Sequence, residues 1–236
     1  MLVEQLSLKL FDVVRYRPDR FIAHRGVKEI LVHLKQELSE ERFSLTTIYA
    51  PKRSGKTHLA VYLADRWISA GYHPRIISGE DLISETAEIS SAPLELSPEI
   101  LIIDSADIWL KQLTPGKSGP FVQLVERLRM NAGKLILLSG TETQDLPCDD
   151  HVMSRIRAGF QVPLLPPVEE DLPDLLIELA RQRGIRLKSR SLHFLLKNLR
   201  RNIPDLERYL ERLLHLTKVL GKGLKFQLIA DAIPGA

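Results

Sequence analysis

Apolar residues follow two rhythms along this chain, and the rhythm changes at Pro166 and Pro167. Before that point strand-like and helix-like stretches alternate. From Gly26 to Leu38 the positions Val27, Ile30, Leu31, Leu34 and Leu38 recur at helical spacing, and Leu45 to Ala50 is β-rich. A helix is predicted after Lys56 through Leu59, Leu63 and Trp67, stopping at Gly71, and His73 to Ser78 reads as the next strand. Ile89 to Pro98, rich in Ser and Pro, reads as a loop. Ile100 to Ile103 is wholly apolar and ends in Asp104, the signature of a strand buried on both faces. An amphipathic helix over 121–130 and a second buried strand over 134–140 complete the series. Strands alternating with helices imply crossover units, so the expected fold class is α/β with a parallel sheet flanked by helices.

Beyond Pro167 only helical spacing remains, over 172–183, 191–199 and 205–220, with a possible extended piece near Phe226. A small helical domain is expected there. The predicted organisation is an arm over 1–18, an α/β domain over 19–165 and a helical domain over 166–236.

The stretch from Ala50 to Thr57, APKRSGKT, lies between a predicted strand and a predicted helix. That is where a phosphate-binding loop sits, because backbone N–H groups and the helix N-terminus converge there on an anion. Gly55, Lys56 and Thr57 fit the pattern, and Ala50 stands where the first glycine is usual. The candidate nucleotide contacts are Ala50, Pro51, Lys52, Arg53, Ser54, Gly55, Lys56 and Thr57. Lys56 would neutralise β- and γ-phosphate oxygens. The Thr57 hydroxyl and Asp104, at the end of a buried strand, would hold Mg²⁺. ATP or ADP with Mg²⁺ is therefore the expected ligand. Ser105 follows Asp104 where an active ATPase usually carries a carboxylate, and a missing general base costs about 10²–10⁴ in rate. Asp107 is read as a cap of the next helical turn, or as a substitute for that carboxylate.

Charge changes this picture little. With 33 Lys and Arg against 30 Asp and Glu, a formal net charge of +3 does not argue for nucleic-acid binding by itself. Its distribution is uneven: Arg181 to Arg201 carries many cations and no acid, which suits a solvated helical face or a surface for phosphates or an acidic partner. Cys148 is the single cysteine, so no internal disulfide forms. No apolar run approaches the roughly 20 residues of a membrane span, and the opening residues lack a secretory pattern, so a cytoplasmic location is expected.

With these residues in place, the chain resembles the DnaA-like branch of the AAA+ ATPases, and within it the Hda-like regulators of replication initiation. Ala50 and Ser105 match that group. The resemblance extends to Gln5 to Leu10, QLSLKL, similar to a peptide that binds the DNA polymerase sliding clamp. It implies that Gln5, Leu6, Leu8 and Leu10 contact the clamp, with Leu8 and Leu10 in an apolar cleft. The same residues also suit an ordinary amphipathic strand. Arg155, with Arg157 nearby, resembles the arginine that such proteins offer to a neighbouring subunit's nucleotide. The resemblance thus implies that Arg155 stimulates hydrolysis of DnaA-bound ATP in trans, which lowers initiation; the bland alternative is a surface arginine. It also implies ADP as a resting ligand and an adenine site at Phe21 and Ile22.

Two departures matter. Pro204 stands where the family's helical lid carries a nucleotide-contacting arginine, although Arg200 or Arg201 could substitute, and Thr141 replaces a common acid. Weak intrinsic ATPase activity is therefore expected, with an in-trans activator favoured over a helicase loader or other DNA-associated helper. The implied partners are the clamp, DnaA and a possible second copy of this chain, with no sequence-specific DNA reading and no membrane.

Overall fold

The computed structural model describes residues 17–84, 99–199, 203–220 and 225–233. Expectations that rest on Gln5, Leu6, Leu8, Leu10, Arg200 and Arg201, and on the loop over 89–98, fall outside them. Contacts divide the chain into two compact units, one containing 30–164 with the residues up to Phe21, the other 22–29 with the chain from Leu165 onward. The segment 22–29, read from the sequence as part of the α/β domain, clusters with the helical unit.

The first unit is built on five parallel strands, β1 (Ser44–Tyr49), β2 (Pro74–Ser78), β3 (Ile100–Asp104), β4 (Lys134–Ser139) and β5 (Phe160–Pro163), in the order β2-β3-β4-β1-β5. The helices α1 (Arg25–Ser39), α2 (Lys56–Ser69), α3 (Gly79–Ser84), α4 (Ala106–Leu110), α5 (Gly119–Met130) and α6 (Asp150–Ala158) connect or follow them. β4 is buried along its whole length, as a central strand covered on both faces must be. Even Lys134 is enclosed, and its Nζ donates to the Glu40 and Arg42 carbonyls.

Alternate residues of the central strands feed opposite faces of the sheet. Leu101 and Ile103 of β3 and Leu135 and Leu137 of β4 join Trp109, Phe121, Leu124 and Ile156 in one core. The Trp109 and Phe121 rings lie 5.7 Å apart. Across the sheet, Thr46 and Ile136 line a small cavity together with Leu34 of α1 and Trp67 of α2.

β5 has no counterpart among the predicted strands. It is four residues long, partly exposed, and ends in Pro163, which a sheet accepts only at an edge. Its approach to β1 depends on Gly159, where a Cβ would stand 2.4 Å from the Leu45 carbonyl oxygen.

The second unit is helical, with α7 (Leu172–Gln182), α8 (Ser189–Asn198), α9 (Ile203–Leu220) and α10 (Phe226–Asp231). Leu175, Leu176, Leu179, Leu195, Leu206, Leu210, Leu213 and Ile229 form its core. Tyr209 is buried among them and donates its hydroxyl to the Ile229 carbonyl at 2.8 Å, and burial raises its phenol pKa. The extended piece expected near Phe226 is instead α10. Phe226, Leu228 and Ile229 pack back on the helical unit, and a helix of six residues is too short to reveal a period.

Candidate functional site

The phosphate loop leaves β1 at Ala50, whose N–H bonds the Ser139 carbonyl of β4, and enters α2 at Lys56. Ala50 is buried. Two residues in the turn take left-handed backbone, Arg53 with φ 65° and Gly55 with φ 93°. A run of this kind curls successive N–H groups toward one concave face, the geometry that receives phosphate oxygens. A Cβ at Gly55 would meet nothing within 4 Å, so glycine is required there by φ and not by crowding.

Lys56 Nζ donates to the Ala50 carbonyl at 2.6 Å and the Pro51 carbonyl at 2.9 Å, with Ser54 Oγ at 3.4 Å. Partial burial lowers its pKa from the ordinary lysine value, while the charges of Asp104 and Asp107 oppose that shift. The ammonium is thus held by carbonyl dipoles inside the loop that it would otherwise share with phosphate.

Beside it, the Thr57 hydroxyl donates to Asp104 Oδ2 at 2.7 Å. One hydroxyl and one carboxylate in direct contact form a sparse oxygen set. That fits Mg²⁺, which keeps several waters and takes its remaining ligands from nucleotide phosphates. No cluster of three or more His, Cys, Asp or Glu able to hold a metal occurs among the described residues. The residues present therefore fit a nucleotide phosphate with its Mg²⁺.

The position after Asp104 is unusual in its backbone as well as its side chain. Ser105 has φ 53°, a left-handed conformation that disfavours side chains. Its N–H bonds Asp104 Oδ1 at 3.0 Å, which fixes the carboxylate. The turn also crowds Gly79, which opens α3 directly after β2, where a Cβ would lie 2.3 Å from the Ser105 carbonyl oxygen. Gly79 was not singled out in the sequence, because only the fold brings it to Ser105.

Asp107 makes no capping bond in the first turn of α4. Its Oδ1 accepts from Gly140 N–H at 2.8 Å, and its Oδ2 pairs with Lys111 at 3.3 Å. Lys111 also reaches Thr141 Oγ1 at 3.4 Å, so a cation stands beside the position where the resembled family often has an acid. Asp107 Oδ1 ties α4 to the residue after β4, and Oδ2 pairs with the end of its own helix.

Arg155 lies in the last turn of α6, a helix capped at its start by Asp149, which accepts from His151 N–H. Its Nη1 donates to the His151 carbonyl at 2.9 Å and its Nη2 to Glu126 Oε1 of α5 at 3.3 Å. The same carboxylate receives Arg129 at 3.2 Å. The Arg155 side chain is 25% exposed. Arg157 is exposed and has no hydrogen bond or ion pair among the described residues. Sequence reading missed Glu126, which sits 29 residues from Arg155 and carried no local signal.

Phe21 stacks on Tyr62 of α2 with ring centroids 4.5 Å apart and meets His58 edge-on at 5.2 Å. Ile22 packs against the core of the helical unit. Pro204 occupies the first turn of α9, where its fixed φ suits helix initiation.

No family model matches the chain. It is 28% identical over 199 residues to the chromosomal replication initiator protein DnaA of Burkholderia cenocepacia, covering 79% of this chain and 37% of that protein. DnaA of Paraburkholderia phymatum is 27% identical over the same length. The chain thus spans less than two fifths of the curated relatives it matches. Among solved structures, domain III of Thermotoga maritima DnaA superposes with a TM-score of 0.73 at 21% identity, over 92% of this chain and 97% of that domain. AMPPCP-bound DnaA of Aquifex aeolicus gives 0.67 at 19% identity, over 92% of this chain and 68% of that one. The Thermotoga maritima RuvB Holliday junction branch migration motor gives 0.65 at 15% identity, over 88% of this chain and 67% of that one. Sequence and architecture point the same way: the chain is similar to DnaA in sequence, and its fold is that of DnaA domain III and of RuvB.

Proposed function

We propose that the chain is a nucleotide-binding regulator of chromosomal replication initiation that acts on DnaA. In this reading the phosphate loop holds ADP or ATP as a structural ligand. Lys56 neutralises the phosphates, Thr57 and Asp104 retain Mg²⁺, and Phe21 and Ile22 flank the base. Arg155 is offered to ATP bound by DnaA and stimulates its hydrolysis. A fixed guanidinium placed on the γ-phosphate as charge develops is worth about 10³–10⁵ in rate. The peptide Gln5 to Leu10 tethers the protein to the DNA-loaded sliding clamp, which raises the effective concentration of a weak contact.

The observation that carries this reading is the contrast between two sets of residues. The phosphate-binding groups Lys56, Thr57 and Asp104 lie together. The groups that would activate water are missing or occupied, since Ser105 is not acidic and Asp107 is bound to Gly140 and Lys111. Binding without turnover suits a regulator. The intact Lys56, Thr57 and Asp104 set also supports a second reading, an ATPase that serves as a helicase loader or DNA-associated helper. The test is single-turnover hydrolysis of DnaA-bound ATP on DNA-loaded clamp, with and without this protein. Faster hydrolysis in its presence supports the regulator. Unchanged hydrolysis, with brisk turnover by the isolated chain, supports the ATPase.

A further inference from the structure

The run of cations that begins at Arg181 separates into two sets in the folded helical unit. Arg181 pairs with Glu178 at 2.6 Å, and Arg183 pairs with Glu207 at 3.0 Å, so both are neutralised within the unit. Arg186, Lys188, Arg190 and Lys197 are exposed and have no carboxylate partner among the described residues.

Two of the four lie on the segment that leads into α8 and two on α8 itself. Arg186 and Lys188 alternate with Ile185, which is buried, and Leu187, which packs on the core, so the segment turns its cations outward. At Ser189 the chain enters α8, where Arg190, His193 and Lys197 are spaced three and four residues apart on one exposed face. The Arg190 guanidinium lies over the Phe226 ring, 4.5 Å from its centroid. An aromatic face fixes the cation in place without cancelling its charge. The first turn of α8 holds no acid and makes no side-chain cap, so the positive end of the helix adds to the same field.

We propose that this strip, Arg186, Lys188, Arg190 and Lys197, binds the phosphate backbone of nucleic acid without reading its sequence. Closely spaced, unneutralised cations suit a regularly charged polyanion. Docking of an acidic protein would call for an apolar anchor within the patch. None of the large apolar residues exposed in the described structure lies between Arg181 and Leu199. The function follows from chemistry outside the nucleotide site, and it stands whether or not Arg155 acts on DnaA.

The test is fluorescence anisotropy of a labelled random-sequence duplex with the full chain, repeated over a range of KCl concentrations. Four phosphate contacts predict a slope of log affinity against log salt of about −3 to −4. The double variant Arg186→Ala with Lys188→Ala lowers affinity at least about tenfold at low salt and reduces the slope by about two. The double variant Lys28→Ala with Lys35→Ala, which removes the same net charge from exposed positions on α1, stays within about twofold of the unaltered protein. An equal loss in both variants, or a slope near zero, overturns the proposal. So does displacement of the duplex by poly-glutamate as effectively as by unlabelled duplex, which would mark an acidic-protein surface. Circular dichroism confirms that each variant is folded, and Lys197→Ala provides a further single-charge step.

Discussion

Arg155 Nη2 meets Glu126 Oε1 at 3.3 Å, joining the last turn of α6 to the middle of α5. Glu126 is shared, because Arg129 reaches the same carboxylate, and its side chain is 43% exposed. An ion pair in such a wet setting contributes about 0–1 kcal/mol. Its value lies in orientation: Arg155 is held near the surface by a partner that a phosphate could replace. Glu126→Gln should therefore cost under about 1 kcal/mol in urea denaturation. A loss above about 2 kcal/mol would show that the pair is a structural keystone, which contradicts a releasable arginine.

The phosphate site gives a prediction that separates charge from metal. Lys56→Ala should abolish binding of a fluorescent ADP analogue, because it removes the ammonium held between the loop carbonyls. Thr57→Val keeps the side-chain volume but deletes the hydroxyl that contacts Asp104. The unaltered protein should lose nucleotide affinity when EDTA removes Mg²⁺, whereas Thr57→Val should respond little. Equal responses to EDTA would remove Thr57 from the metal site.

Two glycines carry steric demands that can be measured directly. Gly79→Ala places a methyl 2.3 Å from the Ser105 carbonyl oxygen, and Gly159→Ala places one 2.4 Å from the Leu45 carbonyl oxygen. In both cases the obstacle is backbone, which cannot rotate away. Each substitution should destabilise the α/β unit by about 1–3 kcal/mol. Gly119→Ala, with nothing within 4 Å of the added carbon, should be neutral or mildly stabilising. Similar melting points for all three would contradict the packing described for β2 and β5.

His24 supplies a pH dependence. Its ring is buried, its Nδ1 has no hydrogen-bond partner, and burial lowers its pKa despite the nearby Asp171 charge. A lowered folded pKa means that the unfolded chain takes up the proton first as pH falls. Stability is therefore at its full value above the ordinary histidine pKa of about 6.5 and declines below it. Denaturation of the unaltered protein and of His24→Leu between pH 7.5 and 5 should show a steeper decline for the unaltered protein. Parallel curves would exclude His24 as the cause.

How much of this was legible beforehand follows the range of each signal. Ile100 to Asp104 and the segment from Ala50 to Thr57 announced strand, loop and ligand chemistry within a few consecutive residues. Contacts between Asp107 and Gly140, Arg155 and Glu126, and Gly79 and Ser105 join distant parts of the chain. No local pattern encodes such pairs. β5 was missed because a four-residue edge strand ending in proline has no room for a period. The basic run from Arg181 was visible, but only the fold reveals that Glu178 and Glu207 silence two of its arginines.

Tethering has its own test. Leu8→Ala should greatly weaken retention of the protein on immobilised sliding clamp while leaving nucleotide binding intact, as expected of an apolar anchor in a peptide groove. Undiminished retention would remove the clamp peptide from the account.

The central claim is that Arg155 acts in the nucleotide site of another protein. Its most direct measurement is the rate of hydrolysis of DnaA-bound ATP on DNA-loaded clamp, with the unaltered protein, Arg155→Ala and Arg157→Ala compared at equal occupancy. Loss of a catalytic guanidinium should remove most of the stimulation, by a factor on the order of 10³ where chemistry limits the rate. Arg157→Ala should retain it. Equal stimulation by Arg155→Ala and the unaltered protein would contradict the account.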